Sequence, residues 1–222
     1  ERWSRARCPG GAVGCRAMGA CHTMVHVRPA SGECKDNQWG HSGWVTCMAQ
    51  LSSGSLASAS VDRSIKIWDV DTHACKATLP GHTGAVSCLV QLSSGELASG
   101  SSDRSIKFWD LCAHSCVATL EEHKDAVVCL FQLSSGALAS GSDDCTIKLW
   151  DVDTRTCQAT LQGHYSGVKC LAQLASGTLA SGSGDCCIKL WDATAHTCQG
   201  TLQGHKGVVR CLVQLASGGL AS

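Results

Sequence analysis

The chain has 222 residues, 44% of them apolar, with 18 Lys and Arg balancing 18 Asp and Glu, and with 17 cysteines. Zero formal charge argues against the basic surface that displaces phosphate counterions from nucleic acid or holds to an anionic membrane. The longest apolar run, 126–131, is six residues, against the roughly 20 of a membrane-spanning helix, so no transmembrane segment is expected.

Residues 1–39 stand apart. They hold six Lys or Arg and three Asp or Glu, a net of +3, whereas 40–222 hold twelve and fifteen, a net of −3. Residues 1–23 read as disordered or as material foreign to the rest of the chain, an Arg-rich transit segment being the weaker reading. The chain opens on Glu1 with no apolar signal region behind it, so the native start is expected upstream.

From Gly40 onward the sequence repeats. His41, His82, His123, His164 and His205 lie 41 residues apart, each preceded by Gly except His123, which follows Glu122. Trp68, Trp109, Trp150 and Trp191 keep the same step, each followed by Asp. Four complete units span 40–80, 81–121, 122–162 and 163–203, and a partial unit occupies 204–222. Residues 24–39 fall into register with the second half of a unit, Cys34 lying one period before Cys75, and read as a degenerate half unit.

Within 81–121, strands are expected at 85–92, 96–101, 105–111 and 116–120. Ser93-Ser94-Gly95, Ser102-Asp103-Arg104 and a polar loop over 112–115 join them, lengths suited to antiparallel hairpins. No window sustains a 3.6-residue period, which argues against helix. Runs such as Val86-Ser87-Cys88-Leu89-Val90 are apolar or small on both faces, as expected of a sheet covered on both sides by its neighbours.

Gly-His, Leu-Ala-Ser-Gly-Ser, a turn Asp, Ile-Lys and Trp-Asp recur in register over 40–222. This pattern resembles the WD-repeat (WD40) family of β-propellers, whose four-stranded blades run to about 40–45 residues. The resemblance implies an all-β propeller. A seven-bladed ring with this repeat would need about 287 residues, so the chain is expected to be a fragment, with four complete blades plus partial ones.

The resemblance also implies that a loop His, a second-strand Ser, a turn Asp and a third-strand Trp form a buried hydrogen-bonded tetrad in each blade. By position these are His41, Ser58, Asp62 and Trp68; His82, Ser99, Asp103 and Trp109; His123, Ser140, Asp144 and Trp150; and His164, Ser181, Asp185 and Trp191. The residue types suit the role: a buried Trp needs an acceptor, Ser can both accept and donate, His bridges and Asp accepts. The competing reading is a Ser-His-Asp nucleophilic triad. Four equivalent sets with each Ser inside a strand offer no single cleft, so no catalytic residue, no cofactor and no enzymatic activity are expected.

Nine cysteines recur in register: Cys47, Cys88, Cys129, Cys170 and Cys211 on the first strand, and Cys75, Cys116, Cys157 and Cys198 on the fourth. First and fourth strands lie roughly 14 Å apart, beyond the about 7 Å that a disulfide spans. These residues are expected to be small buried hydrophobes with reduced thiols, which places the chain in the cytoplasm or the nucleus. Cys112, His114 and Cys116, the pair Cys186-Cys187, and the group Cys8, Cys15, Cys21, His22, His26 and Cys34 all lack paired CxxC spacing, so no metal site is expected.

Gln50, Gln91, Gln132, Gln173 and Gln214 occupy a first-strand position where such repeats usually carry an aromatic residue. A recurrent amide among apolar neighbours needs partners. Either these side chains pair between blades, or the first strand is wetter than usual.

The loop after each tetrad His and the turn holding each tetrad Asp should share one face, and the units differ most there. Trp44 and Tyr165 are its aromatic anchor candidates, with Val61, Ser102, Lys124, Asp125 and Asp143 beside them; capping of blade edges is an equally weighted alternative for the two aromatics. The expected function is a non-enzymatic scaffold that binds protein or peptide partners on this face, with no nucleic acid, membrane or small-molecule substrate. Two alternatives are the C-terminal sensor array of a larger signalling NTPase, although no GxxxxGK[ST] loop occurs in the chain, and the substrate-recognition propeller of a ubiquitin ligase complex.

Overall fold

Short apolar runs punctuated by Ser and Gly turn the chain back on itself every five or six residues, so pairing is between sequence neighbours. The computed structural model describes residues 40–222; the leader 1–23 and the half unit 24–39 lie outside them. The first sheet holds β1 (Val45–Gln50), β2 (Leu56–Ser60), β3 (Ile65–Trp68) and β4 (Cys75–Leu79). The second holds β5 (Val86–Gln91), β6 (Leu97–Ser101), β7 (Ile106–Asp110) and β8 (Ser115–Leu120). The third holds β9 (Val127–Gln132), β10 (Leu138–Ser142), β11 (Ile147–Asp151) and β12 (Thr156–Leu161), and the fourth β13 (Val168–Gln173), β14 (Leu179–Ser183), β15 (Ile188–Asp192) and β16 (Thr197–Leu202). A two-stranded fifth sheet pairs β17 (Val213–Gln214) with β18 (Leu220–Ala221).

Every four-stranded sheet is an antiparallel meander in sequence order, and each strand end expected for 81–121 lies within one residue of the one observed. The described chain is all-β, built of repeated blades, as a partial propeller is.

The apolar core lies between blades. At the first junction Leu51, Ala57, Ile65, Ile67 and Leu79 of one blade meet Val86, Leu89, Leu97 and Trp109 of the next, and homologous clusters fill the following junctions. The first strands line up side by side, β1 against β5, β5 against β9 and β9 against β13. This explains why the second strands, Leu-Ala-Ser-Gly-Ser, are buried along their whole length. A Cβ on Gly100 would sit 2.6 Å from both Cys88 Sγ and Val127 Cγ1, so a bare backbone there lets the neighbouring blade approach.

Of the two expectations for the recurrent Gln, pairing between blades is the one observed. The side-chain oxygens of Gln91, Gln132, Gln173 and Gln214 accept the backbone N–H of Ser52, Ser93, Ser134 and Ala175 in the preceding blade at 2.7–2.8 Å. The amide nitrogens of Gln91, Gln132 and Gln173 donate to the carbonyls of Gly95, Gly136 and Gly177 in their own β-turns at 3.0–3.1 Å. A non-repeating clasp adds to this at the second junction. Arg155 Nη2 donates to both carboxylate oxygens of Glu96 at 2.7 and 2.8 Å, and its guanidinium lies 3.9 Å from the centre of the Phe108 ring.

The cysteines do not divide by strand alone, since the first-strand residues Cys47 and Cys211 are only half-buried, against the expectation. Cys88, Cys129 and Cys170 are buried at the junctions, as expected, and burial pushes the Cys88 and Cys129 thiols well above the ordinary range. The fourth-strand residues correct the expectation of burial: Cys116 and Cys198 are exposed, and Cys75 and Cys157 only half-buried, because the fourth strand is the outer edge of each blade. Among the described residues Cys47, Cys75, Cys88, Cys112, Cys116, Cys129, Cys145, Cys157, Cys186, Cys187 and Cys198 carry free thiols.

Candidate functional site

Each tetrad closes as a chain of hydrogen bonds with one consistent direction. Trp68 Nε1 donates to Ser58 Oγ at 2.7 Å, Ser58 Oγ donates to His41 Nε2 at 2.7 Å, and His41 Nδ1 donates to Asp62 Oδ2 at 2.9 Å. With a neutral imidazole that order follows, because an indole only donates and a carboxylate only accepts. The sets of Trp109, Ser99, His82 and Asp103, of Trp150, Ser140, His123 and Asp144, and of Trp191, Ser181, His164 and Asp185 repeat it with every bond between 2.7 and 2.8 Å. In the partial unit His205 Nε2 meets Ser222 Oγ at 2.6 Å.

Burial sets the protonation. It holds His82, His123 and His164 below the ordinary histidine range and outweighs the opposing pull of their aspartates. Burial alone would raise the aspartates, but the donors around them prevail: Asp62, Asp103 and Asp185 lie below the usual carboxylate range, and Asp144 is lowered to about 2. In the second, third and fourth blades each pair is therefore a neutral imidazole donating to a carboxylate. The four serines are at most 3% exposed, and each hydroxyl already holds an indole N–H and an imidazole. Their geometry resembles a nucleophilic triad whose hydroxyl is already engaged; Ser58 lines a surface cavity with Val45, Met48 and Trp68, whereas Ser99, Ser140 and Ser181 are fully buried.

Sequence reasoning missed two groups of residues. A hydroxyl two places after the tetrad Asp donates to its other oxygen: Ser64 to Asp62 at 2.7 Å, Ser105 to Asp103 at 2.6 Å and Thr146 to Asp144 at 2.7 Å. In the fourth blade Cys187 stands there and supplies only its backbone N–H, at 2.9 Å. The Asp of each Trp-Asp pair lies outside the tetrad and shapes the outer turn: Asp110 Oδ1 accepts the N–H of Cys112 and Ala113 at 2.7 and 2.9 Å. The two-residue spacing after each Asp was the available signal for the hydroxyls.

The tetrads hold up one face. Asp62, Asp103, Asp144 and Asp185 accept the N–H of Ser42, Thr83, Lys124 and Tyr165 at 2.9–3.0 Å, which ties the loop after each His to the turn of each Asp. Backbone bonds from Val61 to Trp44, Ser102 to Ala85, Asp143 to Ala126 and Gly184 to Gly167, at 2.9–3.0 Å, tie them again. On this support Trp44 is 76% exposed, Val61 41% and Tyr165 92%. Ser102, Lys124 and Asp125 are exposed as well, whereas Asp143 is half-buried and its carboxylate is taken by Lys169 of the next blade. Cys112, His114 and Cys116 are exposed on the outer edge; among the described residues no group of three or more His, Cys, Asp or Glu could hold a metal ion.

The profile of the family described as WD domain, G-beta repeat matches the chain four times, over residues 32–69, 73–110, 114–151 and 155–192. Each match ends on the Asp of Trp-Asp and, in the last three, begins in the outer turn of the preceding blade, so it takes the fourth strand of one sheet with the first three of the next. No curated protein gives a significant match.

Proposed function

The chain belongs to the WD40 repeat family, and we propose that it is a protein-interaction scaffold whose docking surface is the face supported by the tetrads. WD40 repeats generally mediate protein–protein interactions. The observation that carries the reading here is the exposure of Trp44 and Tyr165 on loops pinned from beneath. A large aromatic ring held out on a rigid loop loses little conformational freedom on binding, which is why such residues concentrate interface energy. The buried tetrads stabilise the blades and leave the loops free to differ, so partner choice rests with the loop residues. The free thiols of the described residues support a cytoplasmic setting.

The test is a double variant, Trp44→Ala with Tyr165→Ala, in affinity capture with quantitative mass spectrometry. Both side chains are exposed, so the variant should keep the unfolding temperature of the parent while losing its captured partners. A folded variant that retains every partner would remove the docking reading.

A further inference from the structure

The docking face is not uniform in charge. The residue after each tetrad Asp has a left-handed backbone, with φ of 71° at Arg63, 72° at Arg104, 69° at Cys145 and 66° at Cys186. The first two blades thus present an arginine at a position where the third and fourth present a cysteine. Arg63 and Arg104 are both exposed. Among the described residues the ion pairs outside the tetrads are Lys76 with Asp69, Lys148 with Glu122, Arg155 with Glu96 and Lys169 with Asp143, none of which engages these two arginines. The turn and loop residues beside them are Ser42, Thr83 and Ser102, and the carboxylates of Asp62 and Asp103 are about nine-tenths covered and saturated by internal donors. The third blade presents both signs instead, with Lys124 and Asp125 exposed and Asp143 paired with Lys169.

Trp44 and Val61 lie within this basic half. They are joined by the bond from Val61 N to Trp44 O, and Arg63 follows Val61 by two residues in the same turn. An apolar spot that shares its face with two exposed guanidinium groups, one on its own turn and one on the equivalent turn of the next blade, has a definite complement. We propose that the half of the face built by the first two blades docks an acidic peptide segment carrying one apolar side chain, which seats on Trp44 and Val61 while flanking carboxylates pair with Arg63 and Arg104. This rests on the docking reading above and adds the chemistry of the partner.

The experiment uses the full chain and three fluorescein-labelled nonapeptides that share a central Leu and carry Glu, Gln or Lys at the other positions. In anisotropy titrations the Glu peptide should bind at least about tenfold tighter than the Gln peptide, an advantage that shrinks as salt is raised, and the Lys peptide should bind weakest. The double variant Arg63→Asn with Arg104→Asn suits the left-handed backbone and should fold normally. It should abolish the advantage of the Glu peptide. Equal binding of the Glu and Gln peptides, or an advantage that survives in the folded variant, overturns the proposal. The docking reading itself falls only if the Trp44 and Tyr165 variant keeps its captured partners, so the two failures are distinguishable.

Discussion

At the scale of single residues, one atom separates the fourth tetrad from the others. Asp62, Asp103 and Asp144 each accept a hydroxyl proton from the residue two places on, and Asp185 does not, because Cys187 offers a poor donor in its place. Cys187→Ser restores the group that Ser64 and Ser105 provide. A hydrogen bond to a charged carboxylate nets about 1.5–3 kcal/mol, so the variant should raise the unfolding temperature by about 3–12 °C. Scanning calorimetry is the check, and a lowered transition would mean that the site gains more from a thiol packed against its half-buried surroundings. The tetrad membership was legible through the family resemblance, which the 41-residue period carries to equivalent positions in each blade. The hydroxyl was equally periodic, but Cys187 broke the series and hid it.

At the scale of elements, a repeat period reports equivalence and says nothing of depth. Cys88 and Cys116 recur with the same regularity, yet one is enclosed between blades and the other lies on the outer strand. Strand limits were legible because turn residues mark them locally. The partners of the Gln side chains were not, since Gln132 meets Ser93 across 39 residues of chain. The Arg155 clasp on Glu96 occurs once, across 59 residues, so the repeat gave no hint of it. Gln132→Met keeps the length of the side chain and removes both polar ends. It should cost about 1 kcal/mol, seen as a lower urea midpoint; an unchanged midpoint would assign the junction to apolar packing alone.

At the scale of the whole molecule, three buried imidazoles act together. His82, His123 and His164 are neutral when folded and titrate below 6.5, whereas in the unfolded chain they take up protons near that value. The unfolded state thus binds more protons as the pH falls below about 6.5, and stability declines there. The depressed aspartates add a second decline below about 4, where the unfolded carboxyls protonate first. The unfolding temperature should therefore be lower at pH 5.5 than at pH 7.5, measured in buffers of matched ionic strength. A flat or rising profile over that interval would contradict neutral buried imidazoles.

The row of buried cysteines has a further consequence for how such an array comes apart. Cys88 Sγ points to Val127 O, Cys129 Sγ to Val168 O and Cys170 Sγ to Val209 O, so each thiol is sealed by the blade that comes after it. The seams after the second, third and fourth blades each carry one native reporter, placed without labelling or mutation. A thiol-modifying reagent can reach each of them only when its own seam parts, so the order in which the three react is the order in which the seams fail. Cys170 lies against Val209 and Leu212 of the fifth unit, so its modification reports the seam between the fourth and fifth units.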